Sequence, residues 1–334
     1  MKTKEILKNI GLSLFTIIIV FILAEVGFRI YTSSNIIYDI EMHKYAKQLK
    51  RQSDIEGLSH EHIPNSEATL MNVDVKINSS GFRDDELKDK SEFDNRIMLV
   101  GSSITMGWGV ERKDNLESKL EDNFKKANFN IDVVNTGIGN YNTVLEEKLL
   151  KKNIKIVKPD IVILHYFIND CEVLGAGNHN IFIENSYLVA YLYVRIAQAM
   201  HAKSNHYSSI GEYYRNLYND DSEGWNAAKI AIKDMNKTCE ENGSKFIVMI
   251  QPDLHNLAID SKQEECYSII KNYLNSQSID YLNLSAPFRS NFGDKPMDIW
   301  VHEDDSHPNK EGHKVIADNL FSFIKGFIEN DESN

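Results

Sequence analysis

Positive charge is in short supply in this chain. Its 334 residues carry 37 Lys and Arg against 49 Asp and Glu, a formal net charge of -12. With no basic stripe to offset that balance, nucleic acid or another polyanion is excluded as the main partner. Cysteine is scarce as well. Cys171, Cys239 and Cys266 form no CxxC pair and no zinc-like spacing, so a disulfide framework is excluded and three unpaired buried thiols are expected. If the domain is exported, one disulfide with one thiol left over stays open. His302, His307 and His313 invite a metal reading, but no acidic or cysteine ligand pattern completes a zinc site, and neither metal nor cofactor is expected. Internal repeats and low-complexity tracts are absent, and the hydrophobic (42%) and charged (26%) fractions are those of an ordinary folded protein. At this length there is room for one large domain plus accessories.

A long apolar run stands at the N-terminus. Lys2, Lys4 and Lys8 precede an uncharged stretch from Asn9 to Ala24, and Glu25 and Arg29 are followed by Ile30 and Tyr31. As a helix, Ile10 to Tyr31 covers roughly 33 Å at ~1.5 Å per residue, enough for a bilayer core. The charged tips then snorkel at the far interface. The basic flank holds the N-terminus in the cytoplasm and places everything after residue 31 outside. A cleaved signal peptide is the alternative, but no small-x-small site follows Leu23. On either reading the domain is exported.

Residues 32–90 read as a polar juxtamembrane approach segment, with a turn at Ile77-Asn78-Ser79-Ser80-Gly81-Phe82-Arg83-Asp84. Arg83 and Asp84 order that segment and are assigned no chemistry. Over residues 91–330, strand and helix patterns alternate. Strands are expected at Ile97–Val100, Ile131–Val134, Asp160–Tyr166, Lys245–Ile250 and Ile279–Leu284. Helices are expected at Asn115–Lys126, Thr143 to about Ile156, Asn226–Glu241, Gln263–Leu274 and Lys310–Ile328. Such alternation predicts an α/β fold with a central parallel sheet covered on both faces. The interval 171–224 is too long for a loop and is read as a helical cap insertion beside the active site. It contains the apolar helical piece Tyr187–Met200 and the aromatics Tyr207, Tyr213, Tyr214 and Tyr218, whose role is packing before sugar binding.

Ligands of open α/β sheets bind beyond the carboxyl ends of the strands. Ser103, Asn140 and Asn169 each follow such an end. Ser103 lies in Gly101-Ser102-Ser103, and far downstream Asp304-Asp305-Ser306-His307-Pro308-Asn309 supplies an aspartate three positions before a histidine. A serine hydroxyl becomes a nucleophile when a neighbouring base takes its proton and a carboxylate fixes that base's tautomer. Ser103, His307 and Asp304 are the candidates for those three parts. His165, inside an apolar strand, reads as a core histidine, and Asp170 as a cap or structural partner.

These blocks, in this order, resemble the SGNH/GDSL hydrolase family over about residues 95–328. Ser103 takes the nucleophile's place, with Ser102 where the family has Asp. Val134-Asn135-Thr136-Gly137-Ile138-Gly139-Asn140 resembles the oxyanion-hole glycine block, with Asn140 at the donor position and a one-residue slip to Gly139 open. Phe167-Ile168-Asn169-Asp170 stands for Gly-x-Asn-Asp, with Asn169 as the amide donor, and Asp304-x-x-His307 for the base and its carboxylate. The resemblance implies a flavodoxin-like three-layer α/β/α domain and an oxyanion hole of the Ser103 and Asn140 N–H groups and the Asn169 amide. The N-terminal anchor, the Asn78–Asp84 segment, Gly107-Trp108-Gly109-Val110 and the tyrosine-rich cap resemble a membrane-anchored bacterial subgroup related to polysaccharide O-acetylation and deacetylation proteins. That implies a single-pass protein of the inner (cytoplasmic) membrane, its catalytic domain extracytoplasmic. Its substrate would be the O-acyl, above all O-acetyl, groups of a cell-envelope carbohydrate, with envelope polysaccharide machinery as partner. Water as acceptor makes such an enzyme an esterase and a sugar hydroxyl makes it an O-acyltransferase. A non-catalytic glycan-binding or scaffold protein on the same fold is the third reading.

Overall fold

The computed structural model describes residues 2–174, 180–204, 207 and 209–331. The chain divides into two compact units, residues 1–47 with 177–206 and residues 48–176 with 207–334.

The first unit is built on α1 (Lys2–Ser34), which continues past a turn into α2 (Tyr38–Leu49). α1 is long and apolar enough to cross a membrane, and none of its most apolar stretch is buried within the protein. The two charged residues near its C-terminal end, Glu25 and Arg29, have partners in the fold. Glu25 accepts hydrogen bonds from Ser186 Oγ (2.7 Å) and from the backbone N–H groups of Tyr187 and Leu188 (both 3.0 Å). It therefore satisfies the unpaired donors that open a later helix, where a carboxylate is also favoured by the helix dipole. Arg29 pairs with Glu25 at 2.6 Å, donates to the Asn185 carbonyl at 2.9 Å and lies over the Tyr187 ring.

In the second unit five parallel strands follow one another along the chain: β1 (Asn95–Gly101), β2 (Ile131–Asn135), β3 (Ile161–Phe167), β4 (Lys245–Gln251) and β5 (Asp280–Asn283). Their order in the sheet is β2-β1-β3-β4-β5. Between and after them run α3 (Ser103–Met106), α4 (Leu116–Lys126), α5 (Thr143–Val157), α6 (Ile181–Asn185), α7 (Tyr187–Ser204), α8 (Ile210–Leu217), α9 (Glu223–Glu241), α10 (Lys262–Ser276), α11 (Ser285–Phe292) and α12 (Lys310–Asp331). Asn115, Asn142, Ser222 and Ser261 cap α4, α5, α9 and α10 by accepting from a backbone N–H three residues on.

The continuous branched runs of the strands are explained by burial on both faces. Met98, Val100, Val162, Leu164, Val248 and Ile250 pack with Ile154 of α5, Ile232 of α9 and Ile270 of α10. The alternate residues Ile97, Leu99, Ile161, Ile163, Ile247 and Met249 pack with Leu120 of α4, Phe288 of α11 and Leu320 of α12. This is the expected three-layer α/β/α sandwich. Cys171, Cys239 and Cys266 are free thiols buried in it.

From residue 48 the approach segment belongs to the second unit and forms antiparallel pairs, 50–52 with 60–62 and 67–70 with 73–76. The interval read as a cap, 171–224, is divided between the two units. α6 and α7 belong to the N-terminal unit, where Glu25 satisfies the opening donors of α7 and Asn180 caps α6, whereas α8 belongs to the sheet unit and contacts α10. Residues 175–179, 205, 206 and 208 of that interval lie outside the described residues.

Candidate active site

β1 delivers Ser103 to the carboxyl edge of the sheet. Gly101 ends the strand where a Cβ would lie 2.1 Å from Thr105 Oγ1, so only glycine lets the chain fold back into α3. Ser102 precedes the helix and makes no side-chain cap, and Gly107 closes it in the left-handed conformation (φ 85°). A buried guanidinium secures this short turn. Arg83, 1% exposed, donates to the carbonyls of Met106 (3.1 Å), Gly107 and Val110 (2.7 Å). Those carbonyls lie at and just past the end of α3, where no helical N–H can reach them. Reading Arg83 only as part of a turn misses this brace.

The histidine arrives on a two-stranded ribbon, β6 (Trp300–His302) with β7 (Asp305–Pro308). His307 Nε2 lies 2.7 Å from Ser103 Oγ. On its other side, Nδ1 lies 2.5 Å from Asp305 Oδ1. The carboxylate on the imidazole is therefore that of Asp305, and Asp304 is corrected. In a strand, residues two apart share a face and residues three apart do not. Asp305 and His307 accordingly point the same way, while Asp304 sits in the turn before β7, exposed, its N–H donating to His302 Nδ1 at 3.3 Å. Asp305 also accepts from the His307 backbone N–H (3.1 Å) and from Trp108 Nε1 (2.8 Å). Burial would raise the Asp305 carboxyl, but the hydrogen bond and charge of His307, with the Trp108 indole, outweigh it and hold the group below the ordinary Asp value. Trp108 was visible in the sequence only as part of the stretch after the serine.

The loop after β2 is held from several sides. A Cβ on Gly137 would lie 2.4 Å from the Met106 backbone nitrogen, so glycine permits this close crossing of α3. Asn140 has φ 67°, a conformation asparagine tolerates better than most residues. The Gly139 carbonyl accepts from Lys50 Nζ (2.8 Å) and contacts His60 Nε2 (3.0 Å), and Lys50 Nζ also donates to Asn140 Oδ1 (2.6 Å). In a planar trans peptide the N–H is antiparallel to the carbonyl. With the Gly139 carbonyl directed at Lys50 and His60, the Asn140 N–H faces the opposite way. Burial lowers Lys50 to about 7 and His60, with help from the Lys50 charge, to about 4.

Asn169 follows β3 in a turn where its carbonyl accepts from Glu172 N (2.8 Å). Beside it, buried Asp170 accepts from Phe167 N (2.6 Å), and its own carbonyl accepts from Thr143 N at the start of α5. Burial, and then the neighbouring carboxyls, raise Asp170 and Glu146 well above ordinary carboxyl values. His165 is the core histidine expected, fully enclosed, 3.1 Å from Thr105 Oγ1 and lowered by burial to about 4. Tyr218 is buried and donates to the Ile168 carbonyl (2.7 Å), the packing role expected of the tyrosines.

Taken together, a hydroxyl, an imidazole and a buried carboxylate form one relay at the carboxyl edge of a parallel sheet. That arrangement can deprotonate the serine for attack on a carbonyl carbon. The sequence profile of the GDSL-like lipase/acylhydrolase family matches residues 99–315, and the chain belongs to this family of acylhydrolases. Among curated proteins none matches the chain in sequence. Solved structures with a similar course include a psychrotrophic esterase from Pseudoalteromonas sp. (15% identity, 71% of this chain and 100% of that one, TM-score 0.44). An acetylxylan esterase from Geobacillus stearothermophilus, solved as a catalytic mutant, is 12% identical over 69% of this chain and 94% of that one, with a TM-score of 0.46. A G-D-S-L family lipolytic protein from Desulfitobacterium hafniense is 15% identical over 69% and 99%, with a TM-score of 0.42.

Proposed function

We propose that this protein is a membrane-anchored serine esterase that removes O-acyl groups, chiefly acetyl, from an extracytoplasmic carbohydrate. Ser103 Oγ attacks the ester carbonyl as His307 Nε2 takes its proton, and Asp305 steadies the imidazolium. The oxyanion is received by the N–H groups of Ser103 and Asn140 and by the Asn169 amide. His307 then returns its proton to the departing sugar oxygen, leaving the acyl group on Ser103. A water, deprotonated in turn by His307, releases the acid and restores the serine. A sugar hydroxyl in place of that water would complete a transfer instead.

The observation that carries this reading is the continuous contact from Ser103 Oγ through His307 to Asp305, at 2.7 and 2.5 Å. The Gly139–Asn140 peptide, its carbonyl held by Lys50 and His60, leaves the Asn140 N–H on the opposite side, consistent with a donor role. The apolar α1 with its lysine flank supports an exported, membrane-held enzyme, and the resemblance to envelope O-acetylation proteins supports the carbohydrate ester.

The test is turnover of p-nitrophenyl acetate and of an acetylated sugar by the full chain in detergent, alongside Ser103→Ala, with covalent labelling by a serine-reactive phosphonate. Activity and labelling in the native chain, both lost in the variant, are expected. A folded native chain that neither turns over ester nor takes up the phosphonate would overturn the esterase reading in favour of a glycan-binding protein.

A further inference from the structure

A second histidine–aspartate pair stands next to the first. Four residues past β4, His255 Nδ1 lies 2.7 Å from Asp253 Oδ1, and the His255 backbone N–H donates to the same oxygen at 3.1 Å. This repeats the construction of Asp305-Ser306-His307. Asp253 is entirely buried, and its other oxygen accepts from Gln263 Nε2 (3.2 Å) while its backbone N–H donates to the Tyr267 hydroxyl (2.6 Å). A carboxylate so deeply enclosed gives up its hydration and needs partners of this kind. A merely surface histidine would not need such a partner.

Three observations bring His255 to the acyl-transfer site. It leaves the carboxyl end of β4, whose last residue, Gln251, is in register with Phe167 of β3, two positions before Asn169. Its Nδ1 is 3.3 Å from the hydroxyl of Ser306, the residue between Asp305 and His307. Its ring packs against Trp300 of the ribbon, whose indole N–H is fixed on the Leu254 carbonyl at 3.2 Å. Yet the side chain is 44% exposed, and among the described residues nothing hydrogen-bonds its Nε2. The inner nitrogen is anchored and the outer one is presented to solvent.

We propose that His255, oriented by Asp253, is a substrate-binding residue whose Nε2 hydrogen-bonds the carbohydrate portion of the ester. With Nδ1–H donated to Asp253, Nε2 of the neutral ring accepts from a sugar hydroxyl next to the acylated one, and Nε2–H of the protonated ring donates to its oxygen. The inference rests on the esterase reading and deepens it by naming a residue that distinguishes a sugar ester from a simple one. A site built to pair a substrate hydroxyl discriminates strongly against a substrate that lacks it.

The experiment measures kcat/KM of the full chain for a partly acetylated xylo-oligosaccharide and for p-nitrophenyl acetate, comparing the native chain, His255→Ala and His255→Gln. Phosphonate labelling of Ser103 is followed in each. In His255→Ala the ratio of sugar-ester to p-nitrophenyl acetate activity is expected to fall about tenfold or more, mainly through KM. His255→Gln, which keeps a polar group at that position, is expected to recover part of the ratio. An unchanged ratio with labelling intact would overturn the proposal, whether both activities persist or fall together. Loss of labelling in both variants would also overturn it, since His255 would then serve only to hold the catalytic ribbon. Failure of the native chain to label or turn over either ester would instead sink the esterase reading itself.

Discussion

Asp253-Leu254-His255 and Asp305-Ser306-His307 are nearly the same object locally, and they have different fates. Each aspartate accepts from the histidine backbone N–H at 3.1 Å and holds Nδ1, at 2.7 Å in the first and 2.5 Å in the second. The difference lies in what the tertiary structure adds. The second turn meets Ser103 at Nε2 and Trp108 at the far carboxylate oxygen. The first meets Gln263 at its carboxylate and leaves Nε2 to the solvent. In both places an Asp-x-His segment orients an imidazole, and the position of Ser103 is what singles out His307 as the proposed base.

If that is so, the two histidines separate sharply on mutation. His307→Ala is expected to lower kcat for p-nitrophenyl acetate by ~10⁴-fold or more, because it removes the imidazole that lies 2.7 Å from Ser103 Oγ. Equal damage from His255→Ala in the same assay would erase the distinction.

The carboxylates divide the same way. Asp305→Asn is expected to reduce kcat by ~10³–10⁴-fold through loss of the fixed tautomer. Asp304→Asn should stay within about twofold, since its carboxylate is exposed and off the relay. Steady-state kinetics of the pair decides between the two adjacent aspartates. The opposite ranking would restore the sequence-based choice of Asp304.

A smaller effect is expected from Trp108→Phe. It removes the indole donor from Asp305 and keeps most of the packing, for a loss of about 1–2 kcal/mol of transition-state stabilisation, roughly tenfold in kcat. Fully retained kcat would mean that Asp305 needs no second donor.

The smallest expected effect concerns stability. The hydrogen bond and charge of Asp253 raise His255 above the ordinary histidine value of 6.5, against the opposing effect of burial. A raised folded value means that the stabilisation is complete below about pH 6.5 and fades as pH rises through the folded value. His255→Gln should therefore lower the thermal midpoint more at about pH 5.5 than at about pH 9. Equal shifts at both would show that the His255–Asp253 pair is not held by charge.

Much of the sandwich was legible, because runs such as Ile97–Val100 and Ile161–Leu164 are apolar in every position, as strands buried on both faces must be. Ser103 and His307 were legible as residues of the required chemistry at the ends of such elements. The orienting carboxylate was not, because two aspartates adjoin and the choice depends on whether the chain runs as a turn or a strand at residue 305. Arg83 was equally hidden: a guanidinium in a turn-rich segment gives no sign that it will satisfy the carbonyls behind the nucleophile. The helix of α7 could be predicted from its own residues, but its neighbour could not, since that is set by the Glu25 carboxylate more than 150 residues upstream.

The sequence by itself determined the alternation of strands and helices, the apolar N-terminal helix and the residues proposed as nucleophile and base, because these rest on local pattern and on side-chain chemistry. Only the tertiary structure decided which aspartate holds His307, which of two Asp-x-His segments meets the serine, and which elements brace Gly139 and Asn140. Those outcomes depend on contacts between residues far apart in the chain, where a rise of one residue along a strand turns a side chain to the opposite face.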